Sequence, residues 1–218
     1  MSRRLGLCLA AIAFVISPLH ALGDAHPPTE AELDAKYDAA VGFVKQKQYD
    51  KAYDTFRMLS DFEQHDAQYN LATLLRAGFG HPQDFQEALF WAWLSHLGGV
   101  AKAGALAEDL TALLPERALD DIRDKVSAHL SKRVEAGDPD AIMHRGDYFL
   151  EILAEPDHGQ AYVWYAIGAA MRLQGAYQAR NTAAENLDPE DLIALQEEAA
   201  QIFRGMKARM EAQKLDGS

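Results

Sequence analysis

The sequence predicts an all-α fold, an α-solenoid in which antiparallel helix pairs stack into a superhelix. Repetition is the first reason. The stretch Asp66–Gly99 reads as two helices joined by a tight turn, and a weaker copy follows it. Asp66-Ala67 recurs 74 residues on as Asp140-Ala141, and Leu114-Pro115-Glu116 as Asp188-Pro189-Glu190. Ala88 and Trp91 return as Ala161 and Trp164 at a spacing of 73, so one residue is lost at the turn. At about half that distance, Tyr49, Lys51 and Ala52 foreshadow Phe85, Glu87 and Ala88, 36 residues later. Nested periods of this size mark helical hairpins that bury their apolar faces by stacking on one another. The second reason is a set of helix-start signals ahead of the apolar runs, and the third is that no segment alternates with the period of a strand.

Taken in order, residues 1–23 read as a secretory signal peptide. Arg3-Arg4 supplies the positive start, Leu5 to Ile16 the apolar run, and Ala21-Leu22-Gly23 the small-residue cleavage signal. The run is too short for a membrane span. The mature chain is expected to begin at about Asp24, in the periplasm or the secreted fraction. Cys8 is the one cysteine of the sequence and lies inside that signal, so disulfides and thiolate metal sites are excluded from the mature chain. Cleavage removes two arginines and no acid, deepening the net charge of −12 by two units. Such an acidic chain argues against nucleic acid and anionic lipid as partners, since both need clustered Lys and Arg.

Residues 24–29 form an extended leader. Thr29-Glu30-Ala31-Glu32 is a capping box, and the first hairpin occupies 30–64, with Leu33, Tyr37, Val41 and Val44 at helical spacing on its first helix. A second unit, 65–137, holds the well-formed repeat and its packing helices. Gly78-Phe79-Gly80 closes one helix, and Asp84-x-x-Glu87 opens the next. Ala101–Leu113 predicts one short Ala-rich helix. From Pro115, Leu119, Ile122, Val126, Leu130 and Val134 mark one face of a long one that ends at Gly137. The third unit, 138–218, starts with Asp138-Pro139 as N-cap and first-turn proline. It ends in a capping helix from Asp188-Pro189, with Leu192, Leu195, Ala199, Ile202, Met206 and Met210 facing inward.

Ala67, Leu71, Gly78, Gly80, Asp84, Ala88 and Trp91 together resemble a Sel-one-like repeat, a relative of the tetratricopeptide repeat. The second copy keeps Ala141, Gly146, Asp157, Ala161 and Trp164, but has Arg145 where the family places Leu and Ile152 and Ala154 where it places turn glycines. The first hairpin, with Ala40, Phe43, Tyr49, Ala52 and Phe56, is closer to the tetratricopeptide form. The resemblance implies a tetratricopeptide-like solenoid of the secreted bacterial type that binds a protein or peptide, without cofactor and without catalysis. Repeat motifs of this sort specify fold far better than function.

Neither a nucleophile elbow nor a phosphate-binding glycine loop occurs. Ser95 and His96 are neighbours on a helix, about 100° apart, and cannot form a catalytic pair. The turn Asp61–Asp66 gathers three acids and a histidine; it reads as solvated residues with an N-cap at Asp66, not as a metal site. Trp91 and Trp164 occupy the repeat's packing position, whereas Trp93 is expected to be partly exposed. Trp93 is thus the feature behind a carbohydrate- or peptidoglycan-binding alternative. A cell-wall-active or β-lactam-hydrolysing enzyme is the other alternative, and no serine-nucleophile motif supports it. Arg145 falls at a core position, where a charge must snorkel, be salt-bridged, or meet a ligand.

In a tetratricopeptide-like solenoid the first helix of each pair lines the concave side. Its non-core positions here are Asp34, Tyr37, Val41, Tyr69, Thr73, Arg76, Met143, Asp147 and Glu151. This mixture of aromatic, apolar and charged groups suits a peptide or a partner helix.

Overall fold

The computed structural model describes residues 27–216, with side chains to residue 212. The expected export signal and its cleavage site lie outside the described residues. Among the described residues ten helices follow one another and no strand occurs. They are α1 (Glu30–Lys45), α2 (Tyr49–Asp61), α3 (His65–Ala77), α4 (Phe85–Leu97), α5 (Ala103–Thr111), α6 (Glu116–Glu135), α7 (Pro139–Glu151), α8 (His158–Ala170), α9 (Ala176–Ala184) and α10 (Pro189–Asp216).

The duplication is visible in the helix boundaries. α3 and α7 begin 74 residues apart, while α4 and α8, α5 and α9, and α6 and α10 begin 73 apart. The missing residue lies in the turn after α7, as the spacing of Ala88 and Ala161 implies. α9 is a helix that the sequence reading did not identify.

Local chemistry explains the boundaries. At α1 the Glu32 amide donates to Thr29 Oγ1 (3.3 Å) and the Thr29 amide donates to Glu32 Oε2 (2.8 Å), the reciprocal bonds of a capping box. Asp84 accepts the amides of Gln86 and Glu87 at the start of α4, and Asp157 accepts that of Gln160 at the start of α8. The two long turns differ. Gly78 closes α3 with a left-handed backbone (φ 71°), and a Cβ on Gly80 would overlap the Tyr49 carbonyl. The second copy keeps a right-handed residue there, Ile152 (φ −106°), whose side chain is buried and whose carbonyl accepts from Arg123 Nε at 3.1 Å.

Each pair packs antiparallel, α1 on α2, α3 on α4 and α7 on α8, and α2 meets α3 across the join between pairs. α5 and α6 both lie on α4, α7 docks on α6, and α9 and α10 both lie on α8. α4 is therefore covered from several sides. A helix that is apolar nearly all round must be central. Both of its tryptophans are accordingly inside: Trp91 is 4% exposed and Trp93 6%. The expectation of a partly exposed Trp93 is thus corrected, and with it goes the aromatic platform on which a carbohydrate-binding reading rested. Trp164 is only half-buried. Gly146 permits another close approach, because a Cβ there would collide with the Tyr165 ring of α8.

Arg145 is neither salt-bridged nor snorkelling. One of its guanidinium nitrogens, Nη1, donates to the Ser127 carbonyl (2.9 Å), Ser127 Oγ (3.0 Å) and Ser131 Oγ (2.9 Å). Its charge lies 5.4 Å from the Phe149 ring centre and 5.0 Å from that of Trp164. Burial lowers its pKa, and two aromatic faces with three hydrogen bonds replace a carboxylate partner. A second polar knot joins the halves of the molecule. Glu63, in the turn before α3, accepts from His129 (2.8 Å) and pairs with Arg133 (3.1 Å), which also holds Asp138 (2.7 Å). Burial pushes the Glu63 pKa up, but the His129 hydrogen bond and the Arg133 charge outweigh it and leave it lowered. The Asp61–Asp66 turn is therefore partly an inter-unit joint. Its helix starts after Gln64, with Asp66 in the first turn and not at the N-cap.

Candidate binding groove

The face of α3 that carries Tyr69, Thr73 and Arg76 is bounded on one side by α1 and on the other by α5. Leu71 and Leu75, fully buried, mark the opposite side of α3. Two adjoining depressions, of about 730 and 520 Å³, run along this face and share Tyr69, Ala101 and Lys102. The first lies between Tyr37, Asp66, Asn70 and the Gly98–Lys102 turn; the second continues past Thr73 and Arg76 to Ala105 and Asp109. Together they form one open, mixed groove.

Its side chains are positioned by short-range bonds. Tyr37 sets its ring edge-on against buried Phe56, and its hydroxyl accepts from Asn70 Nδ2 at 2.9 Å. Burial raises the Tyr37 pKa against the opposing pull of that bond, so the phenol stays a neutral hydrogen-bonding group. The Thr73 hydroxyl donates to the Tyr69 carbonyl one turn back (3.0 Å). Arg76 crosses to Asp109 of α5 (3.0 Å), an exposed pair whose contribution to stability is about 0–1 kcal/mol. A partner carboxylate competing for that guanidinium therefore displaces little.

The nine positions expected on the concave side are distributed as follows. Tyr37 and Tyr69 line the same depression, and Tyr69, Thr73 and Arg76 the next. Asp34 is exposed on α1, and Val41 is half-buried against the core. Met143 packs toward α8 and α9, its sulfur against Gly168. Asp147 accepts the Tyr165 hydroxyl (2.7 Å), and its pKa is raised by burial. Glu151 meets His96 Nε2 at 2.7 Å on the rim of a separate depression of about 510 Å³ between α4, α5 and α7. The structure therefore brings Tyr37 of α1 together with the three α3 positions, and holds Asp34, Val41 and the α7 positions elsewhere.

Lys102, Asn70 and Asp109 line the groove although the sequence reading did not select them. The available signal was the Ala-rich composition of α5, whose small side chains let that helix stand close as a wall. Ser95 and His96 point apart: Ser95 Oγ donates to the His65 carbonyl at 2.7 Å, and His96 turns to Glu151. Among the described residues no group of three or more His, Cys, Asp or Glu is arranged to hold a metal, and no helix is long and apolar enough to cross a membrane.

Successive antiparallel pairs, a duplicated four-helix unit and an open face on the first helix of a pair define a helical-repeat protein. No family model matches the sequence, and no curated protein does. Among solved structures it is similar to a protective antigen of uropathogenic Escherichia coli that displays an SLR fold, at 18% identity and a TM-score of 0.37. The match covers 84% of this chain and 32% of the antigen, so the chain spans about a third of that protein's length.

Proposed function

We propose that this chain is an exported, non-catalytic interaction scaffold of the bacterial periplasm or secreted fraction, a divergent Sel-one-like repeat protein that holds a peptide or partner protein in the α1–α3–α5 groove. One observation carries the reading. Tyr69, Thr73 and Arg76 share an open helical face against α5, with Tyr37 of α1 beside Tyr69, although neither Tyr69 nor Arg76 is part of the repeat's packing pattern. Tyr and Arg are the residue types most enriched at binding hot spots, because they bury area or form forked hydrogen bonds at modest entropic cost. The test is crosslinking in the native envelope from a photoreactive residue at exposed Thr73, followed by binding of the identified protein to the purified chain. Capture that is unchanged by Tyr69→Ala with Arg76→Ala overturns the reading. Export is tested separately by intact mass, which should place the first residue at or near Asp24.

A further inference from the structure

The two copies of the repeat treat one packing position differently. In the first copy Trp91 of α4 carries a complete ion pair on its ring. Arg57 of α2 lies 5.3 Å from the ring centre, and Glu87 joins the two: its Oε1 pairs with Arg57 Nη1 and accepts from Trp91 Nε1 at 3.3 Å. In the second copy Trp164 stands for Trp91, Arg145 for Leu71, Ser131 for Arg57 and Ser127 for Tyr53. The guanidinium has thus moved from the preceding helix to the first helix of the pair. It still lies over the indole, 5.0 Å from the centre of the Trp164 ring, and its Nη1 donates to the two serines that replace the larger side chains. The carboxylate has not followed it. Gln160 stands for Glu87, and its Nε2 donates to Glu198 of α10 at 3.1 Å.

Three donors are left over. Every hydrogen bond that Arg145 makes comes from Nη1. Its Nε is buried without a partner, and Nη2 makes no hydrogen bond among the described residues. Nε and Nη2 form one edge of the planar guanidinium, a fork that matches the two oxygens of a carboxylate. Trp164 Nε1, whose counterpart donates to Glu87, likewise has no acceptor among the described residues. Burial lowers the Arg145 pKa, and Tyr148, not an acid, is the group that opposes it. Buried donors without partners are costly, and each calls for an acceptor.

We propose that Arg145 and Trp164 form a binding site for a carboxylate of a partner polypeptide, which takes the place that Glu87 holds in the first copy. One oxygen accepts from Arg145 and from Trp164 Nε1, as Glu87 Oε1 does from Arg57 and Trp91, and the second oxygen completes the fork. Phe149, its ring centre 5.4 Å from the guanidinium, helps to hold that fork in place. Arg145 and Trp164 are both only half-buried, which leaves the pair open to a ligand. The site lies among α6, α7 and α8, apart from the α1–α3–α5 groove, and does not rest on the function proposed for that groove.

Nitrogen–proton NMR of the purified chain tests this through the indole N–H of Trp164, identified by its loss in Trp164→Phe. The probes are acetyl-glutamyl amide, which offers a side-chain carboxylate, and acetyl-glycine, which offers a chain terminus. Acetyl-glutaminyl amide is the neutral control, and ionic strength is held constant. At least one carboxylate should shift the Trp164 signal saturably, with a dissociation constant of about 10 mM or below, and the tighter of the two names the source. Arg145→Leu, which copies Leu71 of the first repeat, should abolish the response with helicity unchanged. Gln160→Glu supplies the acid of the first copy from within the chain. It should raise the thermal midpoint and weaken binding of the probe at least about tenfold. A Trp164 signal indifferent to both carboxylates, or equally responsive to the glutaminyl control, overturns the proposal. So does a folded Gln160→Glu chain that binds the probe as tightly as wild type.

Discussion

Replacing Trp91 by Ala tests the repeat register most directly. The indole is 4% exposed, its Nε1 donates to Glu87 Oε1 at 3.3 Å, and the Arg57 guanidinium lies 5.3 Å from its ring centre. Arg57 is itself paired with Glu87, so two charged side chains, one from α2 and one from α4, are tied to each other and to the ring. A buried aromatic removes about 150–250 Å² from water, which at about 25 cal/mol per Å² amounts to roughly 4–6 kcal/mol. The alanine Cβ and partial collapse recover some of this, and measured Trp and Phe truncations in cores fall at about 3–5 kcal/mol. Urea unfolding followed by circular dichroism measures the loss, with m-values compared because stacked units can separate their transitions. For a chain of this size the thermal midpoint should fall by about 6–20 °C. Trp164→Ala, at the half-buried equivalent position, should cost less, since it mainly uncovers the Arg145 guanidinium. A Trp91→Ala loss below about 1 kcal/mol would mean that the indole is outside the core and the register is wrong.

Two further outcomes are expected. His144 is pushed from its ordinary value down to about 4, first by burial, then by the charges of Arg133 and His65. Its neutral form is therefore the native one, and the stabilisation is present above pH 6.5 and lost as pH falls toward 4. Wild type should lose ~2 kcal/mol from this group between pH 7 and pH 5, measured by urea unfolding at each pH, and His144→Asn should flatten that slope; an unchanged slope refutes the assignment. Tyr69→Ala with Arg76→Ala should leave helicity unchanged and shift melting only slightly, while binding of the crosslinked partner weakens at least about tenfold, or 1.4 kcal/mol. Strong destabilisation of that variant would instead make the two residues structural.

How much was legible in the sequence depends on how local the cause was. Helix starts at Thr29, Asp84, Asp138 and Asp157 are set by a side chain and an amide at most a few residues away, so reading order alone located them. The long α6 was equally plain, because Leu119, Ile122, Val126, Leu130 and Val134 repeat on one face and all become buried. α9 was not, because its buried residues are Ala176 and Ala183, and small side chains give little periodic contrast. It is recoverable only as the copy of α5. The sequence by itself thus determined the all-α class, the pairs, the duplication and the shortened second turn, all of which follow from periodicity and capping. Tertiary structure alone decided what surrounds each residue. Trp93 lies two residues from Trp91 on another side of the same helix, and it is buried only because α5, α6 and α7 close around α4. Arg145 finds serines 14 and 18 residues away on α6 and aromatic rings on α7 and α8, partners that helical phase does not reveal. The groove is likewise a product of assembly: Tyr69 and Arg76 belong to one helix, but the residues that make their face a site come from α1, which packs on α2, and α5, which packs on α4.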